Sequence, residues 1–502
     1  MPNKNSGKTN RREVLKGAAG AGFLATFGHR SEATEGRSNS IVEENRKPGT
    51  TDWQITYTRV DPSTKFRSPW IEGYVSHASI APGETLHLFV STNPEGPFKV
   101  DFYRLGYYGG SGGRHLMTSG PLKGRVQPDP PIGEKRLRDC QWEPSLSFAI
   151  PEDWISGVYL GKLSLLEDRY QSYVIFIVRE DREAEVLFQC SDNTWQAYNR
   201  WPSQFALYDD GNSQWALNDK SQVSFNRPYG KYCQILDAPL SQGSGEFLLW
   251  EFPLAYWLEK EGYDVTYLSN TDIHRSKDCL RKGKILLSVG HDEYWSLQQY
   301  AHVKEAIDSG LNVAFLSGNT CCFVAPYSSD TKGVPNRVIT RAGRYGGLVD
   351  AEKERMGPFH LDGPNEALLI GARTIVPFNG SGDWIVTDDT AWIFEGTGMK
   401  NGDRVPGLVG WEFHGDPANI PGLQVVAGGT TTNAGDEKAD WTATLYPGPK
   451  GNFVFNASTI WWSQGLSDPP GHILPYSHYG RPHGVDERVQ RITKNLLDRA
   501  LG

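Results

Sequence analysis

Nowhere in these 502 residues does an apolar run approach the roughly 20 residues that a helix needs to cross a bilayer, which argues against stable insertion into a membrane. Basic charge is scarce too. The 51 Lys and Arg stand against 59 Asp and Glu, a formal charge of −8, and this balance argues against nucleic acid as a partner. The six cysteines (Cys140, Cys190, Cys233, Cys279, Cys321 and Cys322) show no Cys-x-x-Cys spacing, so a structural zinc knuckle is not expected, while one or two disulfides stay open. No internal repeat is evident. Aromatic residues, by contrast, are more numerous than a plain scaffold needs, with 16 Trp, 22 Tyr and 21 Phe, and are candidates for both core and site.

The stretch Thr9-Asn10-Arg11-Arg12-Glu13-Val14-Leu15-Lys16-Gly17 precedes a small-residue apolar segment, Ala18 to Gly28, and a small-x-small cleavage site, Ser31-Glu32-Ala33. This resembles a twin-arginine export signal, so residues 1–33 are read as a removable leader and the mature protein as periplasmic or extracellular. Six Lys/Arg and two Asp/Glu leave with it, taking the formal charge from −8 to −12. Residues 34–51 are polar and charged, and the composition predicts a disordered linker.

From Tyr74 to Val178, short alternating runs such as Leu86–Ser91, Phe98–Arg104 and Tyr173–Val178 are separated by turn signals, which predicts an immunoglobulin-like β-sandwich over 52–180. The glycine-rich Leu105 to Gly113 lacks the following helix and the Lys-Ser/Thr of a nucleotide loop, and reads as a hairpin connection. Beyond Arg182 the period changes. Strands such as Val186-Leu187-Phe188 and Val265–Leu268 alternate with helical stretches such as Phe247 to Glu261, so 181–502 is expected to be α/β, short and β-like after Gly346, and closed by a helix from Asp486 to Ala500.

Within that part, Ile285-Leu286-Leu287-Ser288-Val289-Gly290-His291-Asp292-Glu293-Tyr294-Trp295 runs from an apolar strand through a glycine into three side chains able to do chemistry. A buried parallel strand presents its carboxyl end where open α/β sheets bind ligands, and glycine allows the sharp turn into the following helix, Leu297 to Ser309. Two polar-aromatic clusters lie upstream, Asn193-Thr194-Trp195-Gln196-Ala197-Tyr198-Asn199 and Val223-Ser224-Phe225-Asn226-Arg227-Pro228-Tyr229. Each places a tyrosine among hydrogen-bonding groups. Such a tyrosine either packs with its hydroxyl bonded or serves as a hard oxygen ligand, which requires a strongly charged cation such as ferric iron. Spacing does not choose between the two. Cys321-Cys322 follow a strand and invite a thiol-nucleophile reading, but no histidine at a compelling spacing accompanies them.

Taken in order, Tyr103-Arg104-Leu105-Gly106-Tyr107-Tyr108-Gly109-Gly110, Trp195-Gln196-Ala197-Tyr198-Asn199, Asn226-Arg227-Pro228-Tyr229, Gly290-His291-Asp292-Glu293-Tyr294-Trp295, Gly318-Asn319 and Phe455-Asn456-Ala457-Ser458-Thr459-Ile460-Trp461-Trp462-Ser463-Gln464-Gly465-Leu466 resemble the large (beta) subunit of N,N-dimethylformamidase and its relatives. The resemblance spans about residues 70 to 500. It implies a domain similar to class I glutamine amidotransferases, with the acidic turn where the cysteine nucleophile would stand. It also implies a mononuclear Fe(III) site with Tyr198, Tyr229 and Glu293 as metal ligands. His291 would orient a water or a substrate oxygen, and Asn319 would point into the same pocket. Glu412, ahead of Glu437 and Asp440, would supply a further acid. The family's supporting lysine has no clear counterpart, Arg341 being the nearest basic residue. The implied reaction is hydrolysis of a small amide by metal-activated water, with His291 or Glu412 protonating the departing nitrogen. Self-association and a separate small subunit are left open. The competing reading is an exported carbohydrate-binding or cell-surface interaction protein that keeps the scaffold without the chemistry.

Overall fold

The computed structural model describes residues 39–231, 238–348, 356, 359–375, 380–410, 412–476, 480 and 482–502. The expected leader, 1–33, lies outside them. Residues 39–51, by contrast, correct the expectation of a disordered linker. Asn39 caps a short helix, Ser40–Asn45, through Oδ1, which accepts from the amides of Ile41 and Val42, and Ile41 is fully buried. The polar composition hid a segment held by caps and by a single apolar anchor.

A five-stranded sheet, in the order Ser79–Ile80, Gln171–Val178, Gly157–Leu165, Pro97–Leu105 and Gly113–Lys123, faces a three-stranded sheet of Glu72–Val75, Thr85–Ser91 and Leu146–Ala149. Alternation along Thr85–Ser91 buries Leu86, Leu88 and Val90 against Val100, Phe102, Val174 and Phe176 of the larger sheet, which is the core of the β-sandwich. The glycine-rich segment connects Pro97–Leu105 to its antiparallel partner Gly113–Lys123. The chain is β-rich throughout, with several sheets and few helices. Among the described residues no helix is long and apolar enough to cross a membrane.

The second core is built on a seven-stranded sheet made of β1 (Val186–Cys190), β2 (Val265–Ser269), β3 (Ile285–His291), β4 (Asn312–Gly318), β5 (Gln424–Thr432), β6 (Lys438–Pro447) and β7 (Phe453–Asn456). Its order is β2-β1-β3-β4-β7-β6-β5. The first five strands in that order are parallel, and β7, β6 and β5 continue antiparallel. The parallel strands are buried along nearly their whole length, as helices and loops cover both faces, so their sequences are continuous apolar runs. The helix expected over Phe247 to Glu261 is two, Phe247–Trp250 and Phe252–Lys260, broken at Glu251 just before Pro253.

The sandwich is tied to this sheet region by a buried ion pair. Arg104 donates from Nη1 and Nη2 to Glu259 Oε2 and Oε1 at 3.0 and 2.8 Å, and Tyr267 and Asn45 donate to the same carboxylate at 2.9 and 2.8 Å. Arg104 also donates to the Ser156 carbonyl at 2.8 Å, so a fully buried charge pair has its hydrogen bonds met on both sides.

Candidate active site

The carboxyl ends of β1, β3, β4 and β7 converge on one region, and each delivers a polar segment to it. After β1, the short helix Asp192–Tyr198 is buried along its whole length. β3 ends in the turn Gly290-His291-Asp292-Glu293. Gly290 has φ +71°, and a Cβ there would lie 2.7 Å from Cβ of Trp250, so only glycine fits the turn. Asp292 anchors it from inside. Its carboxylate accepts from Gln189, from Ser288 Oγ at 2.8 Å and from Asn270 Nδ2 at 3.0 Å, and burial pushes its pKa up to about 6. The amide of the next residue, Glu293, donates to Thr194 Oγ1 at 3.0 Å.

Two phenols meet the Glu293 carboxylate. Tyr198 Oη donates to Oε2 at 2.9 Å, Tyr208 Oη lies 3.0 Å from Oε2 and 3.2 Å from Oε1, and the two phenol oxygens are 2.6 Å apart. Asn319 Nδ2 donates to Oε1 at 3.2 Å. All four side chains are buried, and burial raises the pKa of Glu293 and, together with the Glu293 charge, of both phenols. Behind them stands a cation. Tyr294 Oη donates to Tyr208 Oη at 2.9 Å and accepts from Arg341 Nη2 at 2.5 Å, while the guanidinium lies 4.4 Å from the Tyr208 ring centre. Arg341 also donates to the carbonyls of Ala216 and Asn218 at 3.1 and 3.3 Å, so it is fixed behind the tyrosines.

His291 Nε2 lies 3.5 Å from Glu293 Oε2 and 3.9 Å from Glu412 Oε1, and burial alone holds the imidazole neutral, with its pKa down to about 3. Glu412 reaches the site because Gly318 lets its backbone pass. A Cβ on Gly318 would lie 2.1 Å from the Glu412 carbonyl oxygen. Asn319 has φ +51°, the left-handed region, and the next residue is pinned by His414, whose Nε2 accepts from the Thr320 amide at 3.0 Å. His414 Nδ1 therefore carries the proton and donates to Asn456 Oδ1, at 2.7 Å, at the end of β7.

Tyr198, Glu293, Asn319, His291 and Glu412 thus come together, and Arg341 stands behind them. Tyr229, the second phenol expected, is not a hydrogen-bond partner of the Glu293 carboxylate among the described residues. Its ring packs edge-on to Trp195 with centres 6.3 Å apart, and Asp192, Gln196, Arg227 and Arg337 are the side chains that act on its hydroxyl. What its motif contributes is Arg227. This guanidinium gathers the carbonyls of Gln196, Asn199, Trp201 and Phe205 at 2.9 to 3.1 Å and so folds the following loop back over the helix. The Leu207 amide then pairs with the Ala197 carbonyl at 2.9 Å, and Tyr208 arrives beside Tyr198. Tyr208 and Tyr294 escaped the sequence reading, since Tyr208 lies in a loop whose return depends on Arg227, a contact across about twenty residues that periodicity does not carry.

Of the alternative acids, Glu437 and Asp440 are exposed on the β5–β6 hairpin, bonded to Asn433 and Thr430 at 2.7 and 2.6 Å, far from the role expected of them. Cys321 and Cys322 are fully buried, and burial raises the Cys321 thiol well above its ordinary value, the opposite of an activated nucleophile. The five described cysteines are free thiols, so the disulfides left open by the sequence are not found among the described residues; Cys233 lies outside them.

As a donor set, two phenols and a carboxylate suit a hard, highly charged cation. On an octahedral ion with bonds of about 2.0 Å, neighbouring ligand oxygens stand about 2.8 Å apart. The three oxygens here are 2.6, 2.9 and 3.0 Å apart, so the residues fit such an ion. Among the described residues no three His, Cys, Asp or Glu side chains converge in this way.

No curated protein matches this chain. Residues 99–478, well over half of it, match the family described as N,N-dimethylformamidase beta subunit-like, C-terminal. The match takes in every residue of the site just described, and the chain belongs to the N,N-dimethylformamidase beta subunit-like family.

Proposed function

We propose that this protein hydrolyses the C–N bond of a small amide at a ferric centre held by Tyr198, Tyr208 and Glu293. The observation that carries the reading is the meeting of two buried phenols on one buried carboxylate, at the carboxyl end of a parallel sheet. A phenol buried beside a carboxylate keeps its proton unless a strongly charged cation takes the proton's place. Arg341, acting through Tyr294, favours the phenolate of Tyr208. A ferric ion bound there supplies Lewis-acid polarisation of the amide carbonyl and a more acidic water.

The protein's own groups do the rest. Asn319 holds Glu293 through Nδ2 and keeps Oδ1, which has no hydrogen-bond partner among the described residues, for a donor on the water or the substrate. His291, neutral and 3.5 Å from Glu293, orients a water or a substrate oxygen. Glu412 accepts the proton lost by the attacking water. As the carbonyl carbon gains its bond to oxygen and loses its bond to nitrogen, the same proton passes to the departing amine, without which amine expulsion is slow. The products are a carboxylic acid and an amine.

The parallel sheet with an acidic turn after β3 supports an amidotransferase-like scaffold in which carboxylate and phenols replace a thiol. The leader read in residues 1–33 supports export by the twin-arginine route, which suits a protein folded around its metal before translocation. The family's description as a beta subunit supports a small partner subunit. The direct test is amine release from a panel of small amides, N,N-dimethylformamide among them, by the mature protein and its Glu293→Gln variant. The expected result is turnover that falls by at least about a thousandfold in the variant. Equal turnover by both proteins would contradict the reading.

A further inference from the structure

Two turns meet at the Glu293 carboxylate, the one that carries Glu293 after β3 and the one that carries Asn319 after β4, and the second is strained. Asn319 and Cys321 both stand in the left-handed region, with φ +51° and +54°, on either side of Thr320. Residues other than glycine hold that conformation only where their surroundings fix it, and such strain gathers at functional sites. Here the surroundings act on Thr320.

Every polar group of Thr320 is held. Its amide donates to His414 Nε2 at 3.0 Å, its carbonyl accepts from Thr374 Oγ1 at 2.9 Å, and its hydroxyl lies 2.6 Å from Ser317 Oγ. Thr374 and His414 are register partners in a two-stranded antiparallel ribbon, Ala372–Thr374 with His414–Pro417, so one ribbon grips the amide and the carbonyl together. The ribbon is tied in turn to the end of β7, where His414 Nδ1 bonds Asn456 Oδ1 at 2.7 Å and its amide donates to Ser458 Oγ at 2.9 Å. The hydroxyl leads the other way. Ser317 Oγ lies 3.0 Å from Ser288 Oγ, whose proton goes to Asp292 Oδ2 at 2.8 Å. A hydroxyl has one proton to give, so Ser317 donates to Ser288 and Thr320 donates to Ser317. Three hydroxyls thus run as a directed chain from the Asn319 turn to the aspartate that anchors the Glu293 turn. The Cys321 amide closes the link by donating to the Asp292 carbonyl at 2.9 Å, and all of these side chains but that of Cys321, which takes no part in it, bond to one another in full burial.

We infer that Thr320 is a positioning residue of the site, which locks Asn319 in its left-handed conformation so that Asn319 Nδ2 stays on Glu293 Oε1. Its own polar groups are all occupied by the clamp, so Thr320 takes no part in the bond changes and acts through Asn319. Losing the hydroxyl leaves the ribbon's two hydrogen bonds in place and frees only the link to the Glu293 turn. A small misplacement at the reacting groups costs rate more than binding, so the effect falls on kcat more than on KM. The inference rests on the amide-hydrolase reading for its effect on turnover but not for its effect on the geometry of Asn319.

The test compares Thr320→Val with the conservative Thr320→Ser, and repeats Thr320→Val in an Asn319→Ala background, where the inferred effect has nothing to act through. Ser317→Ala cuts the same link from its other side. On each mature protein are measured kcat and KM for the fastest amide of the panel, the tyrosinate charge-transfer band after iron loading, the urea unfolding midpoint and the metal-free crystal structure. Thr320→Val and Ser317→Ala should each lower kcat by at least about tenfold, with KM within about twofold of the natural protein's, and shift the band, while Thr320→Ser keeps all three. Added to Asn319→Ala, Thr320→Val should lower kcat by less than about a further twofold. The crystal structures of Thr320→Val and Ser317→Ala should show Asn319 out of its left-handed conformation and off Glu293. A lower unfolding midpoint with kcat and band unchanged would overturn the inference, as would an equal loss of kcat with and without Asn319, which marks a role in stability alone. Crystal structures that keep Asn319 on Glu293 in both variants would overturn it whatever turnover does. Hydrolysis of no amide by the natural protein would overturn the hydrolase reading instead, and the position of Asn319 in those two crystal structures then decides the inference by itself.

Discussion

Glu293 is buried and in contact with two phenols, so its charge and theirs are set by what else occupies the space between them. Burial favours the neutral form of all three groups; Arg341 pulls Glu293 and Tyr208 the other way, and Arg344 and the phenol hydrogen bonds act with it on Glu293. Binding of the proposed ferric ion would therefore release protons, and its loading should weaken as pH falls. His414 gives a separate prediction at this scale. It is fully buried and neutral, with its pKa lowered by burial from the ordinary 6.5 to about 4. The unfolded chain takes up that proton near pH 6.5 and the folded protein only near 4, so the stability tied to the neutral ring is full above 6.5 and drains as pH falls. Between neutral pH and pH 5 the loss is about 2 kcal/mol. Urea unfolding of the natural protein and of His414→Asn at both pH values checks this. The variant, less stable at neutral pH, should close most of the gap at pH 5, and a gap independent of pH would contradict the assignment.

At the scale of elements, the site is made by turns at strand ends, and glycines permit them. Gly290→Ala places a Cβ against Trp250 in a left-handed turn, so it should destabilise the protein by more than about 1 kcal/mol and displace Glu293. A shift of the chemical unfolding midpoint together with lost activity is expected, and a fully active, equally stable variant would contradict the role given to the turn. The parallel unit from β3 to β4 was legible in the sequence because its signals are local: a continuous apolar run, a glycine, an amphipathic helix and a second apolar run. Tyr208 was not legible, because its position depends on the carbonyls that Arg227 gathers. The Asn-Arg-Pro-Tyr motif drew attention to its tyrosine, whereas the contacts that fold the loop carrying Tyr208 come from its arginine.

At the scale of the molecule, the seven-stranded sheet could not be read beyond its parallel strands. β5 and β6 form a long hairpin whose polar, alternating sequence gives no sign that it extends a buried sheet through β7. The sandwich was legible from its alternation, but its attachment was not. Arg104 closes an alternating run that reads as one more sandwich strand, yet its guanidinium joins the sandwich to Glu259 of the second core. Arg104→Met leaves Glu259 buried without its charge partner and should cost about 3–5 kcal/mol. Calorimetry should show a lower Tm, while the double variant Arg104→Met, Glu259→Leu should recover part of the loss. A single variant as stable as the natural protein would show that the pair does not hold the two cores together.

The central claim is that Tyr198, Tyr208 and Glu293 form the metal site and that Tyr229 stands outside it. The most direct measurement is elemental analysis with the visible absorption spectrum, made on the purified mature protein and on its Tyr198→Phe, Tyr208→Phe and Tyr229→Phe variants. The account predicts about one iron per chain with a tyrosinate charge-transfer band in the natural protein and in Tyr229→Phe, and loss of both iron and band in the other two. Iron and colour unchanged in Tyr208→Phe but lost in Tyr229→Phe would contradict it.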